Sequence, residues 1–559
     1  MKIPVGKDDF EKIRRNHSYY VDKTELLYDL VSKTDNEITL FTRPRRFGKT
    51  LVMSMMESFF SIQKGDSREL FENLNIMKHE EFCAEWMNRY PVLFLTLKGV
   101  EDLTFEDAYK SLMVKLSDLC KTHESMIESD KINRDDKMVF LKLIERKADI
   151  AEVKDSLKTI MRMMSVVYGK PVILLIDEYD VPLAKASEQN SEDNRYYAKM
   201  LNVIRGMFEA ALKGNEYLKF AVITGCLRIA KESIFTGTNN FMSYSVLDDR
   251  FSKYFGFTQD EVNLMLRQAD REDKAELIRS WYDGYFIGNT PVYCPWDVAC
   301  YLSALLDDPT AKPKNYWKNT SHNKILLTFV ERTDFDVSDK FETLMNGGTI
   351  LQSVSDELTY DTLHETENNL WSVLLMTGYM TKAAPDDEDD AVELRIPNRE
   401  ISNIFEETVV RYFKDSLATD RSKQMELMDA LWDGDEEKAS EKMTDILFDT
   451  ISYHDYHENY YHAFMTGIIS GLGYAVRSNQ ENGLGRSDID VREKRKKRGM
   501  LIETKKSDRE EDMEKDALEG KQQIIDKEYL RGFQGYNSVI CYGISFFRKK
   551  ALVRKLSFK

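Results

Sequence analysis

Apolar and polar positions over roughly the first 250 residues follow two rhythms. Short apolar runs of strand length, Ile38-Thr39-Leu40-Phe41, Pro91-Val92-Leu93-Phe94-Leu95-Thr96-Leu97, Pro171-Val172-Ile173-Leu174-Leu175-Ile176 and Leu218-Lys219-Phe220-Ala221-Val222-Ile223, are separated by longer charged stretches with helical spacing. Near-continuous apolar runs fit strands buried on both faces. Strand and helix in alternation predict a parallel sheet covered on both sides. Helices are expected over 11–33, with Thr24 as cap before Leu26, Leu27, Leu30 and Val31, and across about 105–165. The first of these is expected to pack on the sheet edge, and a place near a nucleotide base is compatible with it.

Further along, Phe257-Thr258-Gln259-Asp260-Glu261-Val262 has the spacing of a capped helix start, Thr258 as N-cap and Glu261 at the third helical position. Leu370–Met376 reads as a helix, followed by Gly378-Tyr379-Met380-Thr381, a polar tip Pro385–Asp390 and an alternating strand Val392–Pro397. This order suggests a winged-helix or helical lid. The tip carries five carboxylates, which repel phosphate, so a lid that packs on protein is favoured over a DNA-binding wing. Residues 400–450 are helical and charged, broken at Asp433-Gly434-Asp435. The last segment reads as a helix from Glu458 to about Leu472, then strands at Gly485–Val491 and Met500–Lys505 joined by a basic turn.

A chain of 559 residues exceeds what one core supports, and about three or four domains are expected. The reading divides it into a P-loop ATPase domain over 1–255, a lid region over 256–420 and a nuclease-like domain over 421–559. The net charge of −17 argues against a generally basic nucleic-acid coat protein, although a local basic site acts within its own screening length. Six scattered cysteines without a C-x-x-C pair fit reduced thiols rather than a disulfide framework or zinc site. The first residues, Met1–Phe10, have no apolar signal core, and no apolar run reaches membrane-spanning length. A soluble, cytoplasmic protein with no membrane partner is expected.

The first chemical constellation follows the Ile38–Phe41 run: Arg43-Pro44-Arg45-Arg46-Phe47-Gly48-Lys49-Thr50, leading into an apolar helix. Strand, tight turn ending Gly-Lys-Thr and helix together build a phosphate cradle. Backbone N–H groups of Arg46, Phe47 and Gly48 point at phosphates, the Lys49 ammonium reaches the β- and γ-oxygens, and the Thr50 hydroxyl sits on Mg²⁺. The first glycine of the G-x-x-x-x-G-K-[ST] pattern is replaced by Arg43. Without it that end of the loop is expected to be extended rather than a glycine turn. The strand ending Asp177-Glu178 delivers two carboxylates where ligands of parallel sheets bind. Asp177 is expected on Mg²⁺ and Glu178 on the attacking water. Arg228 and Thr224, after the next strand, stand where a group could sense the γ-phosphate, although an arginine there is more often structural.

The second constellation lies near the C-terminus. In a strand, residues i and i+2 share a face, so Glu503 and Lys505 project together. Asp488 opens the preceding strand. The three can converge on one divalent metal, hard oxygens suiting Mg²⁺, with the lysine orienting water or neutralising charge. Such residues on a hairpin are also commonly a solvated ion-paired surface. The turn Arg492–Arg498 holds six cations against one acid, so it is either a phosphate contact or a solvated tip.

Arg43–Thr50, Asp177-Glu178-Tyr179-Asp180 and Thr224–Phe235 together resemble the bacterial AAA-ATPase-like family, whose members typically carry a C-terminal PD-(D/E)XK nuclease-like domain. Trp281-Tyr282-Asp283-Gly284-Tyr285 and Pro295-Trp296 extend the likeness, whereas Cys294 stands where members more often have asparagine. In that family an arginine at the first glycine position is usual. The resemblance implies an α/β fold, a P-loop NTPase sheet plus a restriction-endonuclease-like domain. It implies Asp488, Glu503 and Lys505 as the nuclease triad, Glu458 as an added helix glutamate on the metal, and Gln523 and Tyr529 near the substrate backbone. The function expected is ATP binding and hydrolysis, with ATP and Mg²⁺ as cofactors, coupled to metal-dependent cleavage of nucleic acid, DNA favoured. The alternative is an ATP-dependent switch whose nuclease-like domain docks nucleic acid or protein without cutting. Homo-oligomerisation is left open.

Overall fold

The computed structural model describes residues 1–188, 195–229, 240–317, 338–358, 366–384, 391–416, 421–450, 458–482, 485–527 and 529–556. The chain divides into two compact units, one of Met1–Trp317 with Leu351–Glu400, the other of Lys318–Ile350 with Ile401–Lys559.

The core of the first unit is a parallel sheet of β1 (Ile38–Thr42), β2 (Val92–Thr96), β3 (Val172–Asp177), β4 (Leu218–Gly225) and β5 (Phe241–Tyr244). Their order is β2-β3-β4-β1-β5, every neighbouring pair parallel. Every residue of β1 and β3 is buried, as expected for central strands with both faces covered. The strand order places β4 between the P-loop strand and the Asp-Glu strand, so the ends of β1, β4 and β3 lie side by side. Helix α1 (Lys49–Phe60) starts at Gly48, whose φ of +83° is the left-handed conformation that glycine adopts without steric cost. The charged stretch forms helices at Phe105–Thr122, Arg134–Ile144 and Ile150–Tyr168. The last opens with a reciprocal Asp149–Glu152 cap and stops at Gly169 in the left-handed region.

Two cap expectations part ways. Thr258 and Glu261 form the reciprocal cap of Gln259–Gln268. Thr24 precedes Glu25–Ser32 but makes no side-chain cap. Its hydroxyl donates to Asp22 at 2.6 Å and accepts from Ile76 N–H, a tertiary demand that outcompetes the helix end. Helix α2 (Pro295–Asp307) begins with proline in its first turn. The middle region contains the helix Glu367–Thr377, ended by left-handed Gly378, and an antiparallel pair of Thr381–Lys382 with Ala391–Arg395. The acidic tip Pro385–Asp390 lies outside the described residues, as do residues 230–235 of the Thr224–Phe235 motif.

In the second unit, α3 (Arg399–Ser416) from Ile401 onward, Arg421–Asp433 and Glu436–Thr450 form the helical stretch. They are followed by α4 (Glu458–Gly471) and by a sheet of β6 (Ala475–Asn482), β7 (Gly485–Glu493), β8 (Arg498–Lys506), β9 (Ser538–Phe547) and β10 (Lys550–Lys555) in sequential order. Only β8 and β9 pair in parallel, and the connection between them carries α5 (Met513–Asp526). A Cβ on Gly543 of β9 would stand 1.9 Å from the Ala517 carbonyl oxygen of α5. Glycine there is what lets helix and sheet approach so closely.

Candidate functional site

The P-loop is anchored through Arg43, the residue that replaces its first glycine, and through its neighbours. Arg43 is fully buried, and its Nη1 donates to the carbonyls of Thr42, Tyr244 and Ser245 at 2.7–2.9 Å. Its guanidinium lies 4.9 Å from the Phe255 ring centroid, and burial pulls its pKa down to about 9. Arg43 therefore ties the loop to the end of β5. Pro44 and Phe47 are buried too, Phe47 edge-on to Tyr285 at 5.2 Å. Arg46 has a φ of +70° and stacks its guanidinium 3.6 Å over Trp296, the first turn of α2. The segments Tyr285 and Cys294–Trp296, which carried no chemical assignment in the sequence, thus grip the loop from outside.

The far end of the loop is open around Gly48, with nothing within 4 Å of where a Cβ would stand. Lys49 is buried, its ammonium donating to the carbonyls of Arg43 and Pro44 at 2.8 Å each and lying 3.6 Å from the Cys226 sulfur. A phosphate group would exchange these neutral acceptors for charged ones. Thr50 donates its hydroxyl to Oδ2 of Asp177 at 2.9 Å, and Thr224 donates to Oδ1 at 2.6 Å. Hydroxyl and carboxylate oxygens at one strand end are a donor set suited to a hard cation.

Glu178, immediately beyond β3, adopts a φ of +54°, rare for a residue with a side chain. Such strain persists where the surroundings impose it, commonly at functional sites. Burial, and then the Asp177 charge, raise its pKa, opposed by Lys49. Asp180, which the sequence reading left without a role, accepts the N–H groups of Cys226 and Leu227 at 2.9 and 3.0 Å. It fixes the turn leaving β4. Arg228, read from the sequence as a candidate phosphate sensor or a structural arginine, pairs with Asp356 at 3.1 Å and Glu357 at 3.0 Å, beside a short parallel pairing of Arg228–Ile229 with Glu357–Leu358.

In the second unit the β7–β8 ladder runs from Glu493–Arg498 to Ile489–Ile502. Just past its last pair stand Asp488 and Glu503. Asp488 N–H donates to Glu503 Oε1 at 3.2 Å, and Asp488 Oδ2 accepts from Thr504 N–H at 2.9 Å and Thr504 Oγ1 at 3.0 Å. Gln523 of α5 donates to Glu503 Oε2 at 3.1 Å. Burial, reinforced by the Asp488 carboxylate, pushes the Glu503 pKa up to about 9. Buried beside a second carboxylate, Glu503 favours its protonated form, and a divalent cation meets the same demand. Magnesium takes one or two carboxylates and keeps water in its other positions, so this donor set fits it. Among the described residues no group of three His, Cys, Asp or Glu has metal-binding geometry.

Lys505 is half-buried two residues along the same strand, and Tyr529 is buried with its hydroxyl hydrogen-bonded to Gln523. Glu458 opens α4, but its side chain lies outside the described residues. His462 was not singled out in the sequence: its Nε2 lies 2.8 Å from the Asp488 carbonyl oxygen. Its place one turn after Glu458 was the available signal. The basic turn keeps Lys494, Arg495, Lys496 and Lys497 exposed, while Arg492 is held by Asp490 and Arg498 by Glu493.

Residues 4–235 match the family model described as "Predicted AAA-ATPase", and residues 456–555 match that of the PD-(D/E)XK nuclease superfamily. The two matches have the N- and C-terminal layout expected from the motifs. The chain is 26% identical over 509 residues to an uncharacterized protein encoded in the vnfD 5′ region of Azotobacter chroococcum mcd 1, covering 88% of this chain and 87% of that protein. No solved structure matches the chain. Among the described residues no helix is long and apolar enough to cross a membrane.

Proposed function

We propose that the chain is an ATP-binding and ATP-hydrolysing protein whose C-terminal domain cleaves nucleic-acid phosphodiesters, DNA favoured, with a divalent metal. The observation that carries the reading is the meeting of Asp488 and Glu503 beyond the β7–β8 ladder, with Gln523 on the far oxygen of Glu503. Asp488 and Glu503, with Glu458, would hold Mg²⁺, and Lys505 would orient the attacking water or offset charge on the phosphate. The metal supplies Lewis acidity and a nucleophile at neutral pH.

At the other site, Gly48 and the loop backbone at Arg46 and Phe47 would receive phosphates, Lys49 would pair their charge, and Thr50 with Asp177 would hold Mg²⁺. Glu178 is assigned to the attacking water, supported by its position beside Asp177 and its imposed backbone. Arg228, committed to two carboxylates, is left out of the nucleotide contacts. The helix Glu367–Thr377 and the strand pair after it support a winged-helix reading of the lid.

A second reading, a nucleotide switch whose nuclease-like domain docks without cutting, is favoured by one observation: protein donors already hold both carboxyl groups of the Asp488–Glu503 pair. One experiment separates them. Purified protein is incubated with linear, circular and single-stranded DNA and with RNA, with and without ATP and Mn²⁺. The first reading expects cleavage that Glu503→Ala removes. Binding without cleavage, or cleavage unchanged in Glu503→Ala, overturns it.

A further inference from the structure

Asp488 has its three polar groups held by three different residues. Glu503 takes the N–H, Thr504 takes the carboxylate, and the carbonyl faces His462. A carbonyl oxygen can only accept, so Nε2 of His462 carries the hydrogen and donates it at 2.8 Å. The other ring nitrogen, Nδ1, lies 3.5 Å from Oε1 of Glu406 in α3. His462 is 5% exposed, in a stretch of α4 whose Tyr461, Ala463 and Phe464 are fully buried. Its Nε2 is thus held on β7 in a buried setting, with the Glu406 carboxylate facing the other nitrogen. Two of the three holds on Asp488 come from the neighbouring strand β8. The third comes from a helix, and it acts on the main chain, whose direction sets where the carboxylate leaves the strand.

We propose that His462 is a positioning residue for Asp488: by gripping the Asp488 carbonyl it aims the carboxylate for metal binding. The inference rests on the metal-nuclease reading above. Partners that orient a metal ligand without touching the metal commonly contribute 10–100-fold in affinity or activity, that is, roughly one to two orders of magnitude. The competing role is packing, a ring that fills the space between α4 and the sheet. The two roles rank substitutions in opposite order. Glutamine keeps an N–H donor near the position of Nε2, whereas leucine fills the space and offers none.

The test measures Mn²⁺ affinity of the full-length chain by calorimetry or electron paramagnetic resonance, beside kcat and KM on an oligonucleotide. Positioning predicts that His462→Leu weakens Mn²⁺ binding about 10–100-fold and lowers kcat with KM unchanged. His462→Gln is then expected to stay within about threefold of the parent, half a decade against a loss of one to two. Should the leucine variant fail to melt cooperatively in EDTA, His462→Phe, which keeps a ring and drops the donor, takes its place with the same expectation. Leucine or phenylalanine binding Mn²⁺ as well as glutamine overturns the inference and leaves the nuclease reading standing. A parent protein with no Mn²⁺ site that Asp488→Asn removes overturns both.

Discussion

Thr224, the penultimate residue of β4, donates its hydroxyl to Asp177, the last residue of β3, at 2.6 Å. Thr50, from the helix after β1, holds the other oxygen of the same carboxylate. Asp177 is fully buried, so this carboxylate depends on two hydroxyls from the neighbouring elements. Thr224→Val leaves one oxygen of a buried charge without a donor, and stability is expected to fall by about 1.5–3 kcal/mol in denaturant melts. Thr224→Ser is expected to recover most of it, and Mg²⁺-nucleotide affinity should follow the same order.

Lys49 is held by two loop carbonyls, ready to exchange them for phosphate oxygens. Replacing it by alanine removes a charge-assisted contact, and ATP affinity measured with a fluorescent analogue is expected to drop about 10–100-fold. Unaltered affinity in Lys49→Ala would sink the nucleotide assignment.

Asp297 and Glu400 are both buried beneath the P-loop anchor, Glu400 accepting the Trp317 N–H at 2.6 Å. Burial raises both carboxyl pKa values, and the Asp297 charge raises Glu400 further; the Cys294 thiol and the Arg46 guanidinium oppose the shift of Asp297. The folded state then binds more protons than the unfolded chain, whose carboxyls ionise near pH 4 (about 3.9–4.3). The pair's contribution to stability is expected to be fully present below about pH 4 and to decline from there as pH rises through the raised values, about 7 for Asp297 and about 9 for Glu400. Melting temperatures across that range test this, and Glu400→Gln should flatten the slope. A slope unchanged by Glu400→Gln would dismiss the pair as its source.

Gly543 lets α5 lie against β9, and α5 carries Gln523 to Glu503. Gly543→Ala forces a Cβ into the Ala517 carbonyl, with an expected loss of about 1–3 kcal/mol. Because Gln523 moves with its helix, phosphodiester cleavage should weaken while ATP affinity in the other unit holds. Equal losses at both sites would point to global misfolding instead.

The chain's own local chemistry determined a good part of this protein. A strand, a turn ending Gly48-Lys49-Thr50 and a helix are set by a few consecutive residues, because period, glycine and capping act over short range. The facing of Glu503 and Lys505 follows likewise from the two-residue repeat of a strand. What the sequence left undecided depends on contacts between distant segments. Only the sheet order put β4 between β1 and β3 and so gave Thr224 to Asp177. Only packing showed Arg43 as a buried tie to the end of β5 and Arg228 beside Asp356 and Glu357. The grip of His462 on Asp488 spans 26 residues and depends on how α4 meets the sheet, which no local pattern encodes.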